Sequence, residues 1–280
     1  MKYIIMCGGV YDVWTKPKQL QEVNGEPLVA RTIRLLREAG VTDIAISTVH
    51  DGFDSFGVPV LKHRNDYRAR AYNDCDGYWC NCFYPTTEHT CYMFGDVVYS
   101  HNAIRTIVDY EADGIMLFGS KAPFALEYPK WYIEPFSFKV TDTDRLKWTV
   151  NEVKRLDKAG VFHRKPIAWE FWNVSQGGDP NQINPNYVAI NDYTCDIDTP
   201  QEIDNVLSHV REEDTMATTK KTETKAKPKQ GTRKPRAKKE QADRVTYKGQ
   251  TFTVLDRTDN RVMLTDGLIH FWVWAKDVQA

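Results

Sequence analysis

Apolar residues run from Tyr3 to Cys7, a length that suits one buried strand and is too short for a helix. After a polar loop, Leu28, Val29, Ile33 and Leu36 recur at helical spacing, which predicts a helix from Leu28 to Ala39 that stops at Gly40. Asp43 to Val49 and Val58 to Leu61 read as two further strands. Cys91 to Val98 is another, with Asp96 towards its end, and Ser100 caps a helix reaching about Tyr110. Gly114 to Gly119 is again apolar. Strands alternating with helices predict βαβ units with right-handed crossovers. The expected class is α/β, a mostly parallel twisted sheet flanked by helices. Ligands of such sheets bind outside the carboxyl ends of the strands, where this chain puts polar turns after Cys7 and around Asp96.

From Trp131 the pattern changes. Ile133 to Val140, Pro166 to Val174 and Tyr187 to Ile190 read as extended, aromatic-rich segments, as in an antiparallel insertion that carries a substrate pocket. Pro200 to Val210 reads as a short amphipathic helix. Met216 to Arg244 is Lys, Thr, Ala, Pro and Gln with almost no large apolar residue, so it cannot build a core and is expected to be disordered. Val245 to Val278 returns to short alternating strands with turn residues at Gly249, Asn260 and Asp266-Gly267, a small β-barrel-like module. The expected organisation is a domain over 1–212, a basic linker over 213–244 and a β module over 245–280.

Charge sharpens this division. Residues 216–244 carry 11 Lys and Arg against 3 Asp and Glu, net +8, whereas 1–215 carry 22 against 31, net −9. The basic run is a candidate contact for nucleic acid or protein, although a solvated linker explains the same composition. No apolar run approaches the ~20 residues of a membrane span. The first apolar stretch is shorter than the ~7–15 residues of a signal-peptide core, so a cytoplasmic protein with no membrane contact is expected. Cys75, Cys80, Cys82 and Cys91 lie near His89, but their spacing lacks the paired C-x2-C knuckles of structural zinc sites and reads as reduced thiols.

Three segments carry chemistry. Gly8-Gly9 after the first strand would let backbone N–H groups approach a phosphate or base, and Pro17-Lys18 would add a point charge. An ordinary glycine turn beside a solvated lysine suits the same residues. In Phe94-Gly95-Asp96, a carboxylate at a strand end can hold Mg²⁺ against phosphates, or can simply be a turn or helix-cap aspartate. In Asp196-Ile197-Asp198-Thr199-Pro200, the two acids point to one face if the segment is extended, while Thr199-Pro200 also marks a helix start.

In this order, with Gly25-Glu26-Pro27-Leu28 between the first two, these segments resemble the nucleotidyltransferases that include sugar-1-phosphate nucleotidylyltransferases and phosphocholine cytidylyltransferases. The resemblance covers about the first 205 residues. It implies a GT-A-like domain that binds a nucleoside triphosphate through Cys7, Gly8, Gly9, Lys18 and Gly95. It further implies Mg²⁺ on Asp96, Asp196 and Asp198, with Lys18, Asp96 and Asp198 as the catalytic set. A phosphorylated sugar or phosphocholine-like acceptor would lie against Trp131, Glu134, Trp169, Trp172 and Tyr187, aromatic faces and a carboxylate that suit a quaternary ammonium, although the same aromatics also suit the plain core of the insertion. The chain departs from the family in its loop, Gly8-Gly9-Val10-Tyr11-Asp12-Val13-Trp14, which lacks the family's third glycine and its arginine and adds an acid. Arg68 and Arg70 are candidates to stand in for that arginine; Arg31, Arg34 and Arg37, on the helix after the loop, are poorer ones. Two other readings stay open. One is a glycosyltransferase that uses Asp196-Ile197-Asp198 as an Asp-x-Asp motif, and the other is a weakened transferase fold reused for binding or assembly.

Overall fold

The structure, a computed structural model, describes residues 1–8, 14–62, 78–121, 133–225, 244–247, 250–257, 261–265 and 270–274. The chain divides into two compact units, Met1–Lys225 and Ala226–Ala280.

The first unit opens with β1 (Lys2–Met6), a hairpin of β2 (Glu22–Val23) and β3 (Glu26–Pro27), and helix α1 (Leu28–Glu38). Then come β4 (Ile44–Thr48), β5 (Val60–Lys62), β6 (Thr90–Phe94), β7 (Val97–Val98), α2 (His101–Asp109) and β8 (Ile115–Gly119). The unit closes with β9 (Pro135–Val140), α3 (Thr143–Lys158), α4 (Ala168–Ser175), β10 (Val188–Ala189), β11 (Cys195–Asp196) and α5 (Pro200–Lys225). Seven strands form one sheet in the order β10-β8-β9-β6-β1-β4-β5. Every neighbouring pair is parallel except those of β9, which runs antiparallel to both β6 and β8.

The sheet is covered on both faces, which is why its central strands read as continuous apolar runs. Alternate residues of β1 serve opposite layers. Ile5 packs with Val29, Ile33 and Leu36 of α1 and Ile104 and Ile107 of α2. Ile4 packs with Leu146 and Val153 of α3 and Phe171 and Trp172 of α4.

The aromatic stretch differs in its elements from the sequence reading. Residues 168–175, expected to be extended, form α4, and all eight are buried. A helix enclosed on every side shows no polar face, so its sequence carries no helical period. The segment from Ile133 supplies β9, and the one from Tyr187 supplies β10; both belong to the main sheet. Helix α3 is absent from the sequence reading, although its buried Leu146, Thr149 and Val153 stand three and four apart. Asp142 caps its start by accepting the Arg145 N–H. Helix α5 runs past Val210 and Met216 to Lys225, through the start of the expected linker. Residues 211–225 contain neither Pro nor Gly, so nothing local stops the helix before Pro228 draws near. Residues 226–243 lie outside the described ones.

The second unit is an antiparallel sheet in chain order, β12 (Arg244–Tyr247), β13 (Gln250–Arg257), β14 (Arg261–Thr265) and β15 (His270–Trp274). Its register shifts between Val254 and Asp256, which adds one unpaired residue to β13. Among the described residues no helix is long and apolar enough to cross a membrane.

Candidate active site

The site is assembled at the carboxyl ends of β1 and β6. The exit of β1 is fixed by the Cys7 N–H donating to the Ser47 carbonyl (2.7 Å) and by Thr48 Oγ1 donating to the Cys7 carbonyl (2.8 Å). Gly95 N–H donates to the Met6 carbonyl at 3.1 Å. A Cβ at Gly95 would lie 2.6 Å from Met6 O and 2.7 Å from Cys7 Sγ, closer than real Cβ contacts come, so only glycine lets the two strand ends meet. That meeting sets Asp96 beside the loop after β1.

The late acidic pair arrives by a second sheet. β11 pairs antiparallel with β7, with Asp196 opposite Val97, and the Ile197 N–H donates to the Asp96 carbonyl at 2.9 Å. Lys18 enters from the other side, in the single 3-10 turn Lys18–Leu20 that follows Pro17. Its Nζ lies 2.8 Å from Asp96 Oδ2, 2.9 Å from Asp198 Oδ1 and 3.7 Å from Asp196 Oδ1. The Lys18 side chain is fully enclosed, whereas those of Asp96, Asp196 and Asp198 are 19%, 29% and 40% exposed. A ligand from solvent therefore meets the carboxylates first.

Other side chains hold this arrangement. Glu202 Oε2 accepts the Asp198 N–H (2.6 Å) and the Thr199 N–H (2.8 Å), which is the glutamate half of a capping box at the start of α5, with Pro200 as the first helical residue. The Trp14 indole N–H donates to the Asp198 carbonyl at 3.1 Å. The buried Glu134 accepts the Asp196 N–H at 3.2 Å. Cys7 is completely buried, and burial, aided by Asp96, pushes its thiol well above the ordinary range, so it packs as a protonated side chain.

The structure therefore brings Cys7, Lys18, Gly95, Asp96, Asp196 and Asp198 together, with Gly8 next in the chain. Gly9, Asp12, Arg68, Arg70 and Trp131 lie outside the described residues. Among the acceptor candidates, Trp169 and Tyr187 meet edge to face at 5.5 Å. Their polar tips are engaged, the indole N–H with the Ile133 carbonyl and the phenol with the Ser120 carbonyl. Trp172, on α4, is fully buried in the core, with its indole N–H donating to the Asn184 carbonyl. Glu134 supports Asp196 from behind and does not stand on an open surface. The helix arginines are committed elsewhere, Arg31 to Asp214, Arg34 to Glu26 and Arg37 to the Gly57 carbonyl.

A metal has a chemically suitable donor set here, since three carboxylates converge and Mg²⁺ takes oxygen ligands. No three His, Cys, Asp or Glu side chains among the described residues are spaced to hold an ion, and the Lys18 ammonium lies within 2.9 Å of both Asp96 and Asp198. Cys80 and Cys91 are buried free thiols raised to about 11 and about 12 by burial, and Cys75 lies outside the described residues.

No family model matches the chain, and no curated protein matches it. Solved structures do align with it. A protein from Bacillus anthracis assigned as a glucose-1-phosphate thymidylyltransferase, solved with sucrose, is similar over 75% of this chain and 95% of its own, at 16% identity and a TM-score of 0.49. An inositol-1-phosphate CTP transferase from T. maritima covers 72% of this chain and 90% of its own, at 16% identity and a TM-score of 0.43. A 2-C-methyl-D-erythritol 4-phosphate cytidylyltransferase from Thermus thermophilus covers 75% and 98%, at 13% identity and a TM-score of 0.45.

Sequence reasoning missed Trp14 as a positioning group. Its contact partner lies 184 residues away, and nothing local marks a tryptophan that reaches a distant carbonyl. Glu202 was legible as part of a helix start, but its grip on the Asp198 N–H was not.

Proposed function

We propose that residues 1–225 form a Mg²⁺-dependent nucleotidyltransferase that joins a nucleoside triphosphate to a phosphorylated small molecule and releases pyrophosphate. The observation that carries this reading is the convergence of Lys18 with Asp96, Asp196 and Asp198 at the carboxyl ends of β1 and β6. Three acids that would take a divalent ion, a lysine and a glycine-bearing strand end suit a metal-bound polyphosphate better than they suit a neutral ligand.

In the proposed reaction a phosphate oxygen of the acceptor attacks the α-phosphorus. A new P–O bond forms, the bond from the α-phosphorus to the bridging oxygen breaks, and pyrophosphate leaves with the electron pair. The protein aligns the reactants and neutralises charge. Asp96 and Asp198, joined by Asp196, are the residues that would hold Mg²⁺, whose charge when bound offsets that of the phosphates. Lys18 supplies a point charge to the triphosphate, and the backbone after Cys7 faces the nucleotide. Trp169 and Tyr187 wall the acceptor side. The loop lacks the family's arginine, and loss of one such contact typically costs ~10²–10³ in rate, so turnover is expected to be slow.

The test is product identity. Purified chain with Mg²⁺ is incubated with each common nucleoside triphosphate and a panel of phosphorylated sugars and phosphocholine, and pyrophosphate is followed. Release that requires both substrates supports the reading. Release of a nucleoside diphosphate in a parallel incubation with nucleotide sugars, with no pyrophosphate in the first, favours the glycosyltransferase reading of Asp196-Ile197-Asp198.

A further inference from the structure

We infer that one face of the second unit's sheet is a platform for single-stranded nucleic acid, with Trp272 and Trp274 at the stacking positions and Arg244 and Arg261 on the same face for the phosphates. The pairing register and the charge of this unit carry it, independently of the transferase reading. Residues directly opposite in an antiparallel pair share a face, and successive residues of a strand alternate between faces. Val245 pairs with Phe252; two residues on, Val254 pairs with Leu264, which in turn pairs with Phe271. Val262 and Val273 pair on that same face, whose one charge among the described residues is Arg257. It is the face that the hydrophobic effect buries, and the register shift between Val254 and Asp256 marks a bulge of the kind that bends a strand.

The other face differs in kind. Arg244 and His270 fall at the two ends of one row across the four strands. Asp256, Met263 and Trp272 share the next row, and Arg261 and Trp274 pair in the third. Two arginines against one aspartate leave this face net positive. The two tryptophans are two residues apart on one strand, about 7 Å, which leaves room for a base at each. They are surplus to the core, which the opposite face supplies. Residues 226–280 carry 12 Lys and Arg against 6 Asp and Glu, net +6, and 8 of the 12 lie in the sequence up to Arg244, where β12 starts. A single strand meets both features at once, with phosphates for the cations and unpaired base faces for the indoles. An acidic peptide would match the charge but leave the tryptophan positions unused, and a duplex keeps its bases stacked on one another. Stacking and phosphate charge need no 2′-hydroxyl, so DNA and RNA strands should bind alike.

The test uses the full chain and fluorescence anisotropy of labelled 15-nucleotide DNA and RNA strands of mixed sequence, with the DNA duplex for comparison. Both strands are expected to bind about tenfold or more tightly than the duplex, and to weaken steeply between 0.05 and 0.2 M salt. Trp272→Ala/Trp274→Ala is expected to lose about tenfold or more in affinity for the strands. Equal binding of strand and duplex, no binding of either strand, or wild-type affinity in the double variant would overturn the inference. Because that variant could disturb the sheet, a second measurement uses the wild type alone. A strand carrying 5-iodo-deoxyuridine is photocross-linked and the attached peptides are identified by mass spectrometry. Cross-links at Trp272 or Trp274 are expected, whereas cross-links confined to 226–243 would mean that a basic segment alone holds the strand and would also overturn it.

Discussion

Gly95 shows how one residue decides the site. Its absent Cβ lets the end of β6 approach the Met6 carbonyl and the Cys7 thiol, and Asp96 follows from that approach. Gly95→Ala is expected to destabilise the protein by ~1–3 kcal/mol, the usual range for forcing a methyl into a packed interior. The same shift should displace Asp96 from Lys18. Thermal melting checks the first effect, and a wild-type melt would mean that the strand ends part freely. At this scale the sequence was informative wherever chemistry and local geometry coincide: a glycine before an acid, or two acids two residues apart. It was silent where a side chain acts through a distant partner, as with Trp14 at the Asp198 carbonyl and Glu134 at the Asp196 N–H.

At the scale of elements, α5 is the piece whose attachment matters most, because its first turn holds Asp198. Its inner face buries Val206 and Val210 in a third cluster with Val23, Leu28 and Ile197. Farther along, Asp214 lies 2.9 Å from the buried Arg31, and Glu213 meets both His101 (2.8 Å) and the Tyr193 hydroxyl. These groups give the docking a pH dependence with a definite sign. The hydrogen bond to Glu213, more than any other factor, raises His101 above its ordinary 6.5, so its contribution is full below that value and is lost as pH rises through the raised one. Burial alone would raise Glu213 and Asp214. Hydrogen bonds from His101 and Tyr193, and the charge and hydrogen bond of Arg31, more than offset it, holding the two acids below 4.5 and 3.8. Their contributions are full above those values and are lost as pH falls through the lowered ones. The urea midpoint should therefore be highest between about pH 4.5 and 6.5 and decline on both sides, and Glu213→Gln should flatten both declines. A midpoint in Glu213→Gln that keeps the wild-type profile would show that α5 is held by its apolar face alone. The elements that sequence reasoning placed well are those with one dominant environment, such as β1 and α1. It lost α4 because that helix is enclosed all round, and it stopped α5 early because low hydrophobicity was read as absence of structure.

For the molecule as a whole, the boundary of the first unit has a consequence. Cutting at 205 removes Val206 and Val210 from the core and leaves Arg31 buried without Asp214. Each buried valine is worth ~1.5–3 kcal/mol, and breaking a buried ion pair costs ~3–5 kcal/mol. Set against a typical total stability of ~5–15 kcal/mol, residues 1–205 should not fold, whereas 1–225 should. Circular dichroism and cooperative melting of the two fragments check this, and a folded 1–205 would show that α5 is an accessory. The two compact units divide after Lys225, inside the run that composition and charge set apart in the sequence.

The central claim is that Asp96 and Asp198 are the chemical centre of a nucleotidyl transfer. The most direct measurement is Mg²⁺-dependent pyrophosphate release by the wild type, Asp96→Asn and Asp198→Asn, with thermal melts showing that all three are folded. The account predicts release by the wild type that EDTA abolishes, and a loss of about 10²-fold or more in each variant, the usual effect of removing one charged group that stabilises a transition state. Release that persists in EDTA, or that either variant supports at the wild-type rate, would contradict it.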